Sequence, residues 1–145
     1  MYTSAHSAVG AAIMISGTAM LESAVVPTTI AFAACGSIAF LSHHFVDYVG
    51  EFGIPLKKAL PREAVFFFLI IFFTYIFGWE VFIGAILGNL MDIIDKTLNW
   101  GLKRHQIFPC HRPGATILYK IKSERQQIII TAAIYFLLIS ILFLK

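Results

Sequence analysis

Charge is what this chain has least of. Only 13% of its 145 residues are Asp, Glu, Lys or Arg, and no Lys or Arg precedes Lys57. Soluble domains carry about a quarter charged residues, so this share excludes an ordinary solvated surface. The basic-free start also lacks the positive n-region of a secretory signal peptide. The apolar run at 8–21 is therefore expected to be a helix of the folded protein. Cysteine is almost missing as well. Cys35 falls within an apolar run and Cys110 within a basic loop, so no disulfide framework is implied. There is no internal repeat, no low-complexity tract and no glycine motif for nucleotides. The net charge of +3 is small, which argues against a nucleic-acid partner and suits membrane lipids with anionic headgroups.

What is present is apolar. Hydrophobic residues make up 59% of the chain, 14 of them Phe, and the mean hydropathy is +0.82. A helix needs about 20 mostly apolar residues to cross the hydrocarbon, and the stretches 25–45 and 127–144 meet that plainly. The run at 8–21 is rich in Gly, Ala and Ser, which permit close backbone approach inside a bundle. The long run 64–95 would measure about 46 Å as one helix, too long for a core of about 30 Å. Gly78, Trp79 and Glu80 interrupt it with a flexible residue, an interfacial aromatic and a charge. It is expected to be two antiparallel helices.

The fold class predicted is all-α: one integral membrane domain over 1–145, a polytopic bundle of about five helices at 6–22, 25–50, 62–78, 80–100 and 126–144. Basic residues give an independent check. Lys57, Lys58 and Arg62 follow the second helix; Lys96, Lys103, Arg104, Arg112, Lys120, Lys122 and Arg125 lie at or beyond the end of the fourth. In an alternating path these regions share one face with the N-terminus, and Lys145 alone falls opposite. The positive-inside rule makes that face cytoplasmic, with the cell's inner membrane the expected location.

The same topology gathers the scarce ionisable groups. All five histidines (His6, His43, His44, His105, His111) and six of the eight carboxylates (Asp47, Glu51, Glu63, Asp92, Asp95, Glu124) fall at that one edge. His43 and Asp47 are four apart and Asp92 and Asp95 three apart, so each pair shares a helical face. Facing helices build carboxylate–histidine metal centres from such pairs. Imidazole suits zinc, iron or nickel, and added carboxylates extend the range to manganese or magnesium. A histidine at a helix end is commonly just an interfacial polar group, which is the bland alternative for His6 and His105. Asp92 and Asp95 resist it better, because carboxylates within membrane helices default to function. Phe66, Phe67, Phe68, Phe72 and Phe73 carry only a packing role, and Trp79, Trp100 and Tyr119 are expected interfacial anchors.

The stretch 36–47, with Ser42, His43 and Asp47, followed by Glu51-Phe-Gly-Ile-Pro-Leu56, resembles the bacterial membrane-bound metal-dependent hydrolases, which carry a Ser-His-x-x-x-Asp element before a Gly-x-Pro-Leu-like turn. His6 is similar to that family's N-terminal histidine, Gly88 to Asp95 to its aspartate element, and His111-Arg112 to its His-Arg element. The order is rearranged, the aspartates are spaced Asp-x-x-Asp, and the family's second histidine after His-Arg is absent. The resemblance and the clustering imply a divalent metal, zinc or manganese, on His6, His43, Asp47 and Asp95. Asp92 or His111 would act as general acid or base, and Arg112 would neutralise a substrate phosphate. The function expected is hydrolysis of a lipid or amphiphilic (phospho)ester at the cytoplasmic face. Two other classes stay open: a small metal-ion transporter, and a non-catalytic membrane adaptor or assembly protein whose polar cluster is a hydrogen-bonded lid.

Overall fold

The computed structural model describes residues 3–47, 49–50, 56–102, 107–108 and 119–144. Five helices account for nearly all of them: α1 (Thr3–Ser23), α2 (Thr28–Asp47), α3 (Leu56–Phe77), α4 (Trp79–Leu102) and α5 (Glu124–Leu144). A two-residue parallel pairing joins β1 (Val49–Gly50) to β2 (Tyr119–Lys120). The chain is thus the all-α bundle that hydropathy predicts. Four stretches, Ser4–Ser23, Thr28–Asp47, Leu60–Phe77 and Glu124–Leu144, are long and apolar enough to cross a membrane, which marks an integral membrane protein. Helix α4 carries Glu80, Asp92, Asp95 and Lys96 and does not reach that apolarity. It is accommodated because α1, α2 and α3 pack around it.

The helices run alternately up and down. Ser4 at the start of α1 meets Glu63 early in α3, and Arg62 pairs with Glu124 at the start of α5. His6 of α1 meets Asp47 at the end of α2, and Phe32 of α2 stacks on Trp79 at the start of α4. The starts of α1, α3 and α5 therefore share one end of the bundle with the late turns of α2 and α4.

Several boundaries shift from expectation: α1 starts at Thr3 rather than 6, α2 ends at Asp47 rather than 50 and α5 starts at Glu124 rather than 126, and three further shifts bear on the packing. Helix α2 begins at Thr28 rather than 25 because α1 closes with a reversed turn over 24–27. The Val26 N–H donates to the Leu21 carbonyl and the Val25 N–H to that of Glu22, and Val25 takes a left-handed φ of 61°. This is the Schellman closure usually given to glycine. Helix α3 starts six residues earlier than expected and contains Pro61 in its second turn. Proline there forfeits one ladder bond while its fixed φ fits the helix. Helix α4 runs on to Leu102, so Asp92 and Asp95 sit about three and two turns short of its end. Gly78, with φ 105°, is the one-residue break between α3 and α4.

Helix α1 is the buried strut. Ala5, Ala8, Ala11 and Met14 are fully buried, and α1 packs most extensively on α4. The contact is backbone on backbone. A Cβ on Gly10 would strike the Gly84 carbonyl, one on Gly84 would strike Gly10 and Ala11, and one on Gly88 would strike the His6 carbonyl. Gly84-Ala-Ile-Leu-Gly88 is a GxxxG element, the spacing that lets membrane helices close to backbone contact. With no hydrophobic drive between helices in lipid, such packing carries much of the association.

Gly10→Ala is therefore expected to destabilise the bundle by about 1–3 kcal/mol, the typical cost of overpacking. A fall in thermal midpoint in detergent, against an unchanged midpoint for Ser37→Ala on the exposed face of α2, would register it. Equal midpoints for Gly10→Ala and the parent would mean that α1 and α4 are not in backbone contact.

Candidate metal centre

The α1–α4 seam brings the polar groups together. His6 is carried one turn into α1, and its neighbour across the seam is Gly88. His43, on the penultimate turn of α2, reaches the same place: its Nδ1 lies 2.8 Å from the Gly88 carbonyl oxygen. The two imidazoles stack with centroids 4.1 Å apart and planes 22° apart. Both are buried, His43 completely.

Asp47 ends α2 one turn beyond His43 and faces both rings. Its Oδ1 lies 3.3 Å from His6 Nε2 and its Oδ2 3.1 Å from His43 Nε2. Asp92 closes the cluster from α4, with Oδ1 4.0 Å from His43 Nε2 and Oδ2 3.3 Å from the Lys96 ammonium. One donor atom each from His6, His43 and Asp92 lies within 4.8 Å of the others, and this group can hold a metal ion.

The protonation pattern bears on that use. A carbonyl only accepts, so His43 Nδ1 must carry the proton given to Gly88. A neutral His43 then turns its Nε2 lone pair toward the Asp47 carboxylate. Two acceptors 3.1 Å apart require positive charge on or between them, supplied by a second proton on the ring or by a cation. A ligating histidine is ordinarily fixed in this way, with its other nitrogen donating to a carbonyl or carboxylate. His6 adds a second sign. Its Nδ1 is buried with no hydrogen-bond partner among the described residues, a state that costs free energy unless something else is bound.

Not every expected ligand joins. Asp95, predicted as a metal ligand, turns instead to the segment after α4. Its carboxylate accepts from the Ile107 N–H at 2.8 Å and the Phe108 N–H at 3.3 Å, and Phe108 packs edge-on against Phe40 of α2. Asp92, expected as an acid or base, takes the place beside the histidines that Asp95 was assigned. His44, Glu63 and Glu124 share this end of the bundle without entering the group. Glu51, Lys103, Arg104, His105, Cys110, His111 and Arg112 lie outside the described residues.

Sequence reasoning missed Gly88 and Asn89. The Asn89 side-chain amide donates to Ser7 Oγ and to the Ala85 carbonyl, bolting α4 to α1 one turn from Asp92. The GxxxG spacing was a signal available for the first; an isolated Asn gives none.

Fold and cluster together define a class: a five-helix membrane bundle with a histidine–carboxylate centre at one end. No protein-family model, curated protein or solved structure matches the chain.

Because Asp95 accepts from two part-buried backbone amides, Asp95→Ala is expected to cost about 1 kcal/mol locally, the net worth of such hydrogen bonds where water can replace the acceptor. Faster amide exchange at Ile107 and Phe108, with exchange in the middle of α1 unchanged, is the expected pattern. Unaltered protection at both amides would show that the carboxylate does not hold that segment.

Proposed function

We propose that the protein is a membrane-embedded, metal-dependent hydrolase acting on a lipid or other amphiphilic phosphoester, with its centre at the cytoplasmic face of the cell's inner membrane. The observation that carries this is the meeting of His6, His43 and Asp92 from three helices, with His43 oriented through the Gly88 carbonyl and His6 Nδ1 without a hydrogen-bond partner among the described residues. The likeness of 36–47 to the membrane-bound hydrolases supports it from the sequence side. His6, His43 and Asp92 would hold the ion, with Asp47 beside them to ligate or to brace the rings. A bound divalent metal, zinc or manganese, lowers the pKa of its water and polarises an ester or phosphoryl oxygen. Of this chain's own groups, the buried imidazoles would present nitrogen to the ion, and Lys96, paired with Asp92 and largely exposed, would offer a cation toward the headgroup layer. His111 and Arg112 keep the acid–base and phosphate-binding roles that the resemblance implies.

The basic residues orient the protein. Among the described residues, Lys57, Lys58, Arg62, Lys96, Lys120, Lys122 and Arg125 belong to segments at the cluster end, and basic segments stay on the cytoplasmic side. Ser23, exposed at the opposite end of α1, should then face outward. An impermeant maleimide is expected to label Ser23→Cys in intact cells and to spare the parent protein. Labelling only after the membrane is opened would reverse the orientation.

A second reading has an observation of its own. Asp47 touches both imidazoles, so a protonated His43 with Asp47 makes a self-sufficient polar cap, as a non-catalytic adaptor would need. Metal content separates the two. The purified full chain is expected to contain close to one equivalent of divalent metal. His43→Ala and Asp92→Asn should abolish it, and Asp47→Asn should weaken binding about 10- to 100-fold, the usual effect of disturbing a ligand or its brace. Asp95→Asn should retain the metal. Hydrolysis of an amphiphilic phosphoester in mixed micelles should be lost on chelation and recovered with zinc or manganese. Metal-free protein would leave the polar cap as the reading.

A further inference from the structure

The starts of α3 and α5 meet at a corner where Arg62 pairs with Glu124. Residues 56–63 and 121–126 hold five cations, Lys57, Lys58, Arg62, Lys122 and Arg125, against two carboxylates, Glu63 and Glu124. However these groups pair among themselves, three positive charges stay in excess. We propose that the α5 side of this corner is a binding site for one anionic phospholipid, with its phosphate on Lys122 and Arg125 and a tail along the outer face of α5.

Depth is the first support. The apolar spans begin at Leu60 on α3 and at Glu124 on α5, and all five cations lie within three residues of those points. At 1.5 Å per residue that is at most about 5 Å, inside the polar headgroup region of about 5–7 Å on each side of the hydrocarbon. The charges therefore stand at the level of lipid phosphates.

Rigidity is the second. The segment that carries Lys122 is fastened on both sides. β2 pairs with β1, and Ile121, next to Lys122, is buried. The Lys122 N–H donates to Gln126 Oε1 at 3.0 Å and the Gln126 N–H to Ser123 Oγ at 3.2 Å, a capping arrangement that fixes the entry into α5. Lys122 and Arg125 are both exposed. Two cations three residues apart on a fastened backbone make a defined site, where a loose basic tail would make only a diffuse field. The guanidinium supplies a planar fork for phosphate oxygens and the ammonium a point charge.

The third support is apolar. Arg125, Ile129, Ala132 and Phe136 succeed one another at spacings of four, three and four, so they share one face of α5, and all four are exposed. From Arg125 to Phe136 the stripe is about 16 Å long, close to one leaflet of a hydrocarbon core of about 30 Å. Cations above an apolar strip one leaflet deep have the dimensions of a single phospholipid. A nucleic acid or a soluble phosphate would gain nothing from the strip, so the combination selects a membrane lipid.

The proposal does not rest on the metal centre, and its test reads binding rather than hydrolysis. The full chain, purified in neutral detergent, is offered phosphatidylglycerol and phosphatidylcholine with identical tails, and native mass spectrometry counts the intact lipid retained. One phosphatidylglycerol is expected to be kept, in about tenfold preference over phosphatidylcholine. Lys122→Gln and Arg125→Gln should each weaken its retention about fivefold, the worth of one cation beside an anionic surface. Lys145→Gln, which removes the same charge beyond the other end of α5, should change nothing. Thermal midpoints equal to the parent's identify which of the two site variants are folded, and either one suffices. A photoreactive diazirine in the phosphatidylglycerol tail should label the peptide holding Ile129 and Phe136. Equal retention of the two lipids would overturn the site, and so would an equal loss for Lys145→Gln. Displacement by glycerol 3-phosphate as effective as by the lipid would overturn the role of the tail, as would label spread evenly over the helices. Metal content measured on the same samples separates failure here from failure of the hydrolase reading.

Discussion

One backbone contact organises this molecule. Gly88 of α4 lies against the His6 carbonyl of α1, and its own carbonyl takes the proton of His43 from α2. A side chain at that position would part α1 from α4 and withdraw His6 from His43. Gly10 and Gly84 repeat the close approach one turn deeper. In lipid, where apolar side chains gain little by meeting one another, it is such proximity that sets how helices are rotated. Rotation in turn decides which side chains face the centre and which face hydrocarbon. The metal group lies where α2 meets that seam, and a lateral groove lined by α1, α3 and α4 opens on its other side.

Scarcity of charge gives each described carboxylate at this end a distinct task. Glu63 receives an amide at the start of α1, and Glu124 ties α5 to α3 through Arg62. Asp95 secures the segment after α4, Asp47 faces two imidazoles, and Asp92 sits between His43 and Lys96. A charged group within membrane depth is costly unless paired or bound, and these pairings meet that cost. Among the described residues, only the His6, His43 and Asp92 group combines buried nitrogen donors with an acid in a space suited to a cation.

Much of the fold was legible before the structure. Five helices, the break at Gly78 and the meeting of the ends of α2 and α4 follow from hydropathy and from the placement of basic residues. The start of α2 was not legible, because Val25 adopts a left-handed conformation that β-branched residues rarely take, and apolarity continues straight through the turn. The extent of α3 was hidden by Pro61, which reads as a boundary and sits inside the helix. At the site, His6, His43 and Asp47 were legible from helix-end position and i, i+4 spacing. The choice between Asp92 and Asp95 was not. Three residues apart, they differ by about 60° in direction and nearly one turn in depth, and no local pattern tells which of them points to the histidines.

The chain's own chemistry determined that it would form apolar helices, how many there would be, and that most of its described ionisable groups would gather at one end. Those properties sum along the chain, residue by residue, and need no knowledge of neighbours. Tertiary structure alone decided which acid meets which imidazole, and that a lateral groove opens beside them. Both depend on how far each helix is turned about its axis, and that angle is set where glycine lets two backbones touch.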